Sequence, residues 1–310
     1  MKQTTAAFIS IVGRPNVGKS SFLNRAIGQK VAIVSDKPQT TRNRIMGVYN
    51  CDNAQLVFID TPGFHKPKNK LGEQMMKAVQ SGLSDVDAIT LVVEAATKFR
   101  LDLAHLPPAE LQLMEQIKAR KLPAILAVNK IDLLQQKDEL LPLISAYTEK
   151  CDFCAVVPFS AKTGDGVSAL LAEQMKFAKP SPHYFEDDTC TDVPDRVMVA
   201  EIIREKILRG FDQEIPHGTA VDIETFFERD DKNGMPILEV GAVIYCEKES
   251  HKGILIGKGG NMLKKIGSSA RTEIEDFFGC KVNLKLWVKV KEGWRDKQGM
   301  LHSLGLDYQA

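Results

Sequence analysis

Eight consecutive residues, Gly13-Arg14-Pro15-Asn16-Val17-Gly18-Lys19-Ser20, satisfy every fixed position of the pattern G-x-x-x-x-G-K-[ST]. The chemistry of that spacing is phosphate binding. Main-chain N–H groups of such a loop, with the positive end of the helix that follows, cradle phosphate oxygens. Gly13 and Gly18 let the backbone approach without a Cβ in the way. Lys19 would reach the β- and γ-phosphates, the Ser20 hydroxyl would ligate Mg²⁺, and Ser21 continues the cradle into the helix.

Three later fragments extend the site. Asp60-Thr61-Pro62-Gly63 follows an apolar run, Gln55–Ile59, so Asp60 stands where it could hold Mg²⁺ through water and the Gly63 N–H could meet the γ-phosphate. Asn129-Lys130-Ile131-Asp132 follows a second run, Ala124–Val128. A carboxylate there accepts from guanine N1–H and the 2-amino group, a donor pair that adenine lacks. Ser160-Ala161-Lys162 follows a third run, Ala155–Phe159, and offers a main-chain N–H to guanine O6. Each fragment alone could be a turn or a strand-end cap. In this order, and each after a strand, they select guanine.

Such loops need a sheet to present them. Strand-like runs at Phe8–Val12, Gln55–Ile59, Ala88–Val93, Ala124–Val128 and Ala155–Phe159 alternate with helical stretches near Ser20–Ala26, Leu71–Gly82, Glu110–Arg120, Glu139–Thr148 and Val167–Phe177. That alternation predicts an α/β domain with a mostly parallel sheet, its strand ends facing the ligand crevice. Asn43–Asn50 reads as an added strand, antiparallel to Gln55–Ile59 across Cys51-Asp52-Asn53. The pattern divides the chain into 1–178, a Pro-rich and acidic linker or strap over 179–194, and 195–310. The last part reads helix (Arg196–Leu208), strand (Thr219–Arg229), strand (Pro236–Cys246), helix, helix (Asn261–Phe278), strand (Val282–Val290). Between its last two helices lies Gly257-Lys258-Gly259-Gly260, with Lys252, Lys264, Lys265 and Arg271 nearby. A G-x-x-G loop in this element order matches an α+β KH domain of type II, whose loop clamps about four nucleotides of single-stranded RNA.

With these motifs in hand, residues 1–178 resemble a translation-factor-class GTPase domain. The segment Lys37-Pro38-Gln39-Thr40-Thr41-Arg42-Asn43-Arg44 is similar to switch I of the Era family of bacterial ribosome-assembly GTPases. Glu214-Ile215-Pro216-His217, Lys285-Leu286-Trp287-Val288-Lys289-Val290 and Gly293-Trp294 extend the resemblance over nearly the whole chain. It implies a switch that binds and hydrolyses GTP with Mg²⁺ and binds small-subunit (16S) ribosomal RNA near its 3′ end during 30S assembly and rRNA maturation. It also implies a cytoplasmic monomer, with peripheral contact to the inner face of the cell membrane as a further expectation. By the resemblance Thr41 closes on Mg²⁺ with Ser20 and Asp60, although the sequence leaves Thr40 open. Switch II begins at Asp60-Thr61-Pro62-Gly63-Phe64. Many small GTPases carry a water-orienting glutamine after that glycine; Phe64 has no polar atom, so intrinsic hydrolysis should be slow. Asn16 has two open readings: in related GTPases an asparagine here helps to bind K⁺, or it bonds its own loop.

Composition sets the outer limits. The 310 residues are 44% apolar and 26% charged, as in ordinary globular proteins. No apolar run approaches the roughly 20 residues that cross a bilayer, and the N-terminus has no signal-peptide core. Net charge is +1, but residues 251–310 are basic and 181–250 acidic. Cys151 and Cys154 have metal-knuckle spacing but no second pair, so free thiols are expected. The histidines, 65, 105, 183, 217, 251 and 302, lack ligand spacing. Met75-Met76 reads as core. Alternation puts Trp287 in the core, while Trp294 could stack on bases. Two rival readings stay open: an RNA-binding module with a structural nucleotide site, and a related GTPase acting on another RNA.

Overall fold

The computed structural model describes residues 4–95, 106–230 and 232–307; His105 lies outside them. Six strands and five helices alternate first: β1 (Thr5–Val12), α1 (Lys19–Ile27), β2 (Ile45–Cys51), β3 (Ala54–Asp60), α2 (Lys70–Gly82), β4 (Ala88–Glu94), α3 (Pro108–Arg120), β5 (Ala124–Asn129), α4 (Leu140–Thr148), β6 (Ala155–Pro158) and α5 (Val167–Met175). The sheet order is β2-β3-β1-β4-β5-β6, parallel except for β2, which pairs antiparallel with β3 across a tight turn at Asp52. The central strands are buried on both faces, which is why they read as continuous apolar runs. One core layer centres on Phe22, Phe58 and Phe159, whose rings meet edge to face; the other gathers Val12, Leu91, Leu126 and Tyr147.

The Pro-rich segment is a strap. Lys179–Pro180 forms a short strand, β7, antiparallel to the start of β1. Beyond it the chain is stitched along the β2–β3 hairpin. The fully buried Gln55 side chain accepts from the N–H groups of Tyr184 and Phe185 and donates to Phe185 O. Val48 N–H donates to Cys190 O, and Met46 N–H to Asp192 Oδ1. The strap thereby covers the edge strand β2, which would otherwise expose an unpaired ladder.

The remainder forms α6 (Asp195–Gly210), β8 (Ala220–Asp230), β9 (Pro236–Cys246), α7 (Glu249–Ile256), α8 (Asn261–Phe278), β10 (Lys281–Val290) and α9 (Gln298–Ser303). Its sheet runs β10-β9-β8, with β9–β10 parallel and β8–β9 antiparallel. Helices α6 and α8 pack on one face over Leu238, Val240, Ala242 and Ile244. The tail turns back: Trp294 and Leu301 pack with Leu71 and Met75 of α2 in a small apolar cluster that joins the two parts. Both tryptophan expectations are corrected. Trp294 is fully buried, its Nε1–H donating to Gly218 O, because the returning tail encloses it. Trp287 is 48% exposed, because it stands on the sheet face that no helix among the described residues covers.

Candidate nucleotide and RNA sites

The loops that carry the motifs meet at the C-terminal ends of β1, β3, β5 and β6, around a cavity of about 610 Å³. That volume is in the range of small-molecule sites. Pro15, Asn16, Gly18, Lys19, Ser20, Ser21, Gln39, Thr40, Thr41, Gly63, Asn129, Lys130, Asp132, Ala161 and Lys162 line it. The glycines are sterically required. A Cβ on Gly18 would stand 2.0 Å from Asn129 Nδ2, one on Gly63 2.6 Å from Pro15 Cα, and one on Gly13 2.4 Å from Val92 O.

Lys19 Nζ donates to Gly13 O (3.2 Å) and Arg14 O (3.0 Å). Burial lowers its pKa to about 8, against the pull of Asp60. Burial raises Asp60 to about 6, against Lys19 and the Ser20 hydroxyl. Ser20 Oγ donates to Asp60 Oδ2 at 2.6 Å and lies 2.9 Å from Thr41 Oγ1, while Asp60 Oδ1 is buried without a partner. Two hydroxyls and a carboxylate with an orphaned oxygen form a hard-oxygen set that suits Mg²⁺. Thr40 Oγ1 donates instead to Lys37 O (2.6 Å), within its own turn. Of the two threonines, Thr41 is the one whose hydroxyl stands at this cluster.

Asn129 ties the phosphate and base loops together: Nδ2 donates to Val17 O (2.7 Å), and Oδ1 accepts from Lys130 N (2.7 Å) and Ala161 N (3.0 Å). Ser160 Oγ donates to Asp132 Oδ1 at 2.6 Å, orienting an exposed carboxylate at the cavity wall. Lys130 pairs with Glu94 at 3.0 Å.

Several expected residues act elsewhere. The Arg14 side chain leaves the cavity for the buried Glu110 of α3, which also accepts from Tyr147 OH. The Asn16 amide donates to Asp36 O, just before the switch I segment, so its partner lies outside its own loop. Val17 and Phe64 side chains are in the core, Phe64 N–H donating to Gly13 O. Thr61 Oγ1 donates to Ile11 O, and Pro62 is buried beside it.

Sequence reasoning missed how switch I is held. Arg204 of α6, 2% exposed, donates to Gln39 O and Thr40 O and pairs with Glu201. Arg42 donates to Thr219 O (2.8 Å) and His217 O (3.2 Å) and lies over the Trp294 ring. The buried Glu205 accepts from Val34 N and Lys30 Nζ, and Lys37 pairs with Asp212. Pro38, between these contacts, is exposed. The only sequence signal was charge inside an apolar helix, which solvent exposure would explain as well. Ile33, Val34 and Ser35, which also line the cavity, carried no motif.

In the small domain Gly257, Gly259 and Gly260 have φ of 73°, 60° and 78°, left-handed values that favour glycine. Lys258, Lys264 and Lys265 are exposed around them. A groove continues from Gly260 between α8 and β10, lined by Leu263, Lys264, Gly267, Arg271, Leu284 and Leu286.

A family model described as 50S ribosome-binding GTPase matches residues 8–130, and a KH domain model matches residues 214–295. The chain is 49% identical over 300 residues to GTPase Era of Clostridioides difficile (strain 630), covering 97% of this chain and 98% of the relative. It is 48% identical over 301 residues to GTPase Era of Ruminiclostridium cellulolyticum, covering 97% of each. The chain belongs to the GTPase Era family. Among solved structures, Era in complex with MgGDPNP and nucleotides 1506-1542 of 16S ribosomal RNA has a TM-score of 0.91 at 34% identity, over 98% of this chain and 100% of that one. Aquifex aeolicus Era, as a variant bound to GDP and aluminium fluoride, gives the same TM-score, identity and coverage. As in the Era family, a phosphate-loop GTPase domain is followed by a KH domain.

Proposed function

We propose that this chain is a GTP-hydrolysing switch that binds the 3′ end of small-subunit ribosomal RNA and assists 30S assembly and rRNA maturation. The observation that carries the reading is the clasp of switch I by α6. Thr41 beside Ser20 and Arg204 on Thr40 O belong to one segment, so closure over the nucleotide and docking of the KH domain share a single backbone. Residues 1–178 would bind nucleotide, 179–194 would strap the second unit to the first, and 195–310 would bind RNA.

Within the cavity the phosphate loop and Lys19 hold the phosphates, and Asp132 reads guanine. Ser20, Thr41 and Asp60 would hold Mg²⁺, which on binding supplies positive charge to the β- and γ-phosphate oxygens. Phe64, buried, orients no water, so basal hydrolysis is slow. The Asn16 and Asp36 oxygens offer K⁺ a place beside the phosphates if the Asn16 amide turns over. Loss of the γ-phosphate would free Thr41, and with it the carbonyls that Arg204 holds.

The solved Era complex with 16S ribosomal RNA, similar over 98% of this chain, favours the small subunit over the 50S description of the family model that matches residues 8–130. We place the protein in the cytoplasm; no helix among the described residues is long and apolar enough to cross a membrane. Nothing among those residues argues for the peripheral membrane contact.

Gly260→Asp tests the RNA site. A Cβ at Gly260 meets nothing within 4 Å, so the cost of aspartate to the fold is the φ of 78°, and the carboxylate would conflict with an RNA phosphate. RNA affinity should fall sharply while basal GTP hydrolysis stays within a few-fold, with a melting curve to show that the domain is folded. Undiminished affinity in a folded variant would place the RNA elsewhere.

A further inference from the structure

The groove between α8 and β10 takes one face of β10; the other face is unused by anything described so far. Side chains alternate along a strand, so Leu284, Leu286 and Val288 point to the helices while Lys281, Asn283, Lys285, Trp287 and Lys289 share the open face. Trp287 is 48% exposed. Its register partner is Val243, and its ring reaches over the neighbouring Gly241, coming within 3.4 Å of where a Cβ there would stand. Glycine at that position leaves the ring room to reach across β9.

From Lys281 to Lys291 the chain carries four lysines and no carboxylate. The acidic groups that face this stripe from neighbouring strands are mostly engaged. Glu224 pairs with Lys289 at 3.0 Å, and Glu239 pairs with Arg229 and accepts from Asn283. Asp222, on β8 with Glu224 and in the row of Val243 and Trp287, also acts on Lys289. Lys281 and Lys285 have no ion-pair partner among the described residues. β10 is also an edge strand, so the groove face and this face are joined by the free side of a single strand.

We infer that the outer face of β10 is a second RNA-binding surface, on which a base stacks on Trp287 while Lys281 and Lys285 meet flanking phosphates. The inference rests on the RNA reading of the KH groove and extends it. A flat exposed aromatic among unpaired lysines is the composition that binds single strands without reading their sequence. A G-x-x-G loop clamps about four nucleotides, so an RNA longer than that must continue past the groove, and the β10 edge is where the groove ends. A protein partner would be expected to find more apolar area here than one ring and Phe227, which is 52% exposed on the far strand.

The chain has two tryptophans, and Trp294 is fully buried, so RNA-induced quenching of tryptophan emission reports on Trp287. The full chain, loaded with a non-hydrolysable GTP analogue, is titrated with two RNAs. One has about four nucleotides, the length the loop clamps; the other corresponds to nucleotides 1506-1542 of 16S ribosomal RNA. The long RNA should quench the emission and the short one should bind without quenching. Trp287→Ala should weaken only the long RNA, by about tenfold, within the worth of one base–aromatic stack, and Trp287→Phe should restore most of it. Lys285→Glu, at an exposed position on the same face, should flatten the log–log salt dependence for the long RNA by about 0.7 per lost phosphate contact. If the long RNA binds, Gly260→Asp weakens it, and yet the emission and both β10 variants are silent, the second surface is overturned while the groove stands. If neither RNA depends on Gly260, the groove reading itself has failed. Quenching by a ribosomal protein but not by RNA would overturn the inference in favour of a protein partner.

Discussion

The carboxamide of Asn129 bonds Val17 O, Lys130 N and Ala161 N, so the phosphate loop and both base loops are one rigid unit, held by a side chain that never touches the reacting atoms. Specificity then falls to Asp132, whose free oxygen is aimed by the Ser160 hydroxyl on the other. Asp132→Asn should exchange guanine for xanthine preference, since an amide donor suits the 2-oxo group; competition binding with GTP and xanthosine triphosphate checks it. Guanine selectivity that survives in a folded variant would contradict the assignment. Asn16 gives a second expectation at this scale. With Phe64 unable to orient water and the Asn16 amide already facing Asp36 O, turnover should be faster in K⁺ than in Na⁺ at equal ionic strength. Asn16→Ala should erase the difference, and equal rates in the two salts for the parent would remove K⁺ from the mechanism.

Among the elements, the strap shows what a sequence carries and what it withholds. Strands β1, β3, β4, β5 and β6 and helices α1 to α6 were legible because burial on both faces, or on one helical stripe, writes a period into the apolar residues. The glycine and charge signatures of the loops were legible because phosphate chemistry admits few substitutes. Residues 181–192 have no period, since their order comes from partners about 130 residues away, and only the Pro-rich composition marked them. Gln55 is the clearest case: a polar residue opening a predicted strand, in fact fully buried and bonded to the strap. Gln55→Ala would take their partner from half-buried main-chain groups of Tyr184 and Phe185, at a cost of about 0.5–1.5 kcal/mol. Thermal unfolding should begin several degrees lower, with nucleotide affinity little changed; an unaltered melting curve would mean that the strap is solvated. The tryptophans were misjudged for a related reason. Alternation along β10 says that Trp287 and Leu286 face opposite ways, but not which way the helices lie.

At the scale of the whole molecule, the two units are joined by the same residues that close the nucleotide site. Arg204 and Glu205 sit in a helix whose other side is the KH core, packed by Val199, Ile202 and Ile203. With Thr41 closed against Ser20, the groove from Gly260 to Leu286, where we propose that RNA binds, stands open. Closure and an accessible groove therefore belong to one state, and a nucleotide that favours closure should favour RNA by the same free energy. The direct measurement is the affinity of the full chain for the 3′-terminal small-subunit RNA when loaded with a GTP analogue, with GDP, or with neither, in parallel with Arg204→Ala. The account predicts tighter binding with the analogue than with GDP, by about 5–150-fold if the coupling is of ordinary size, and a difference that collapses in Arg204→Ala while each nucleotide still binds. Equal RNA affinities in the three states, or a difference that Arg204→Ala leaves intact, would contradict it.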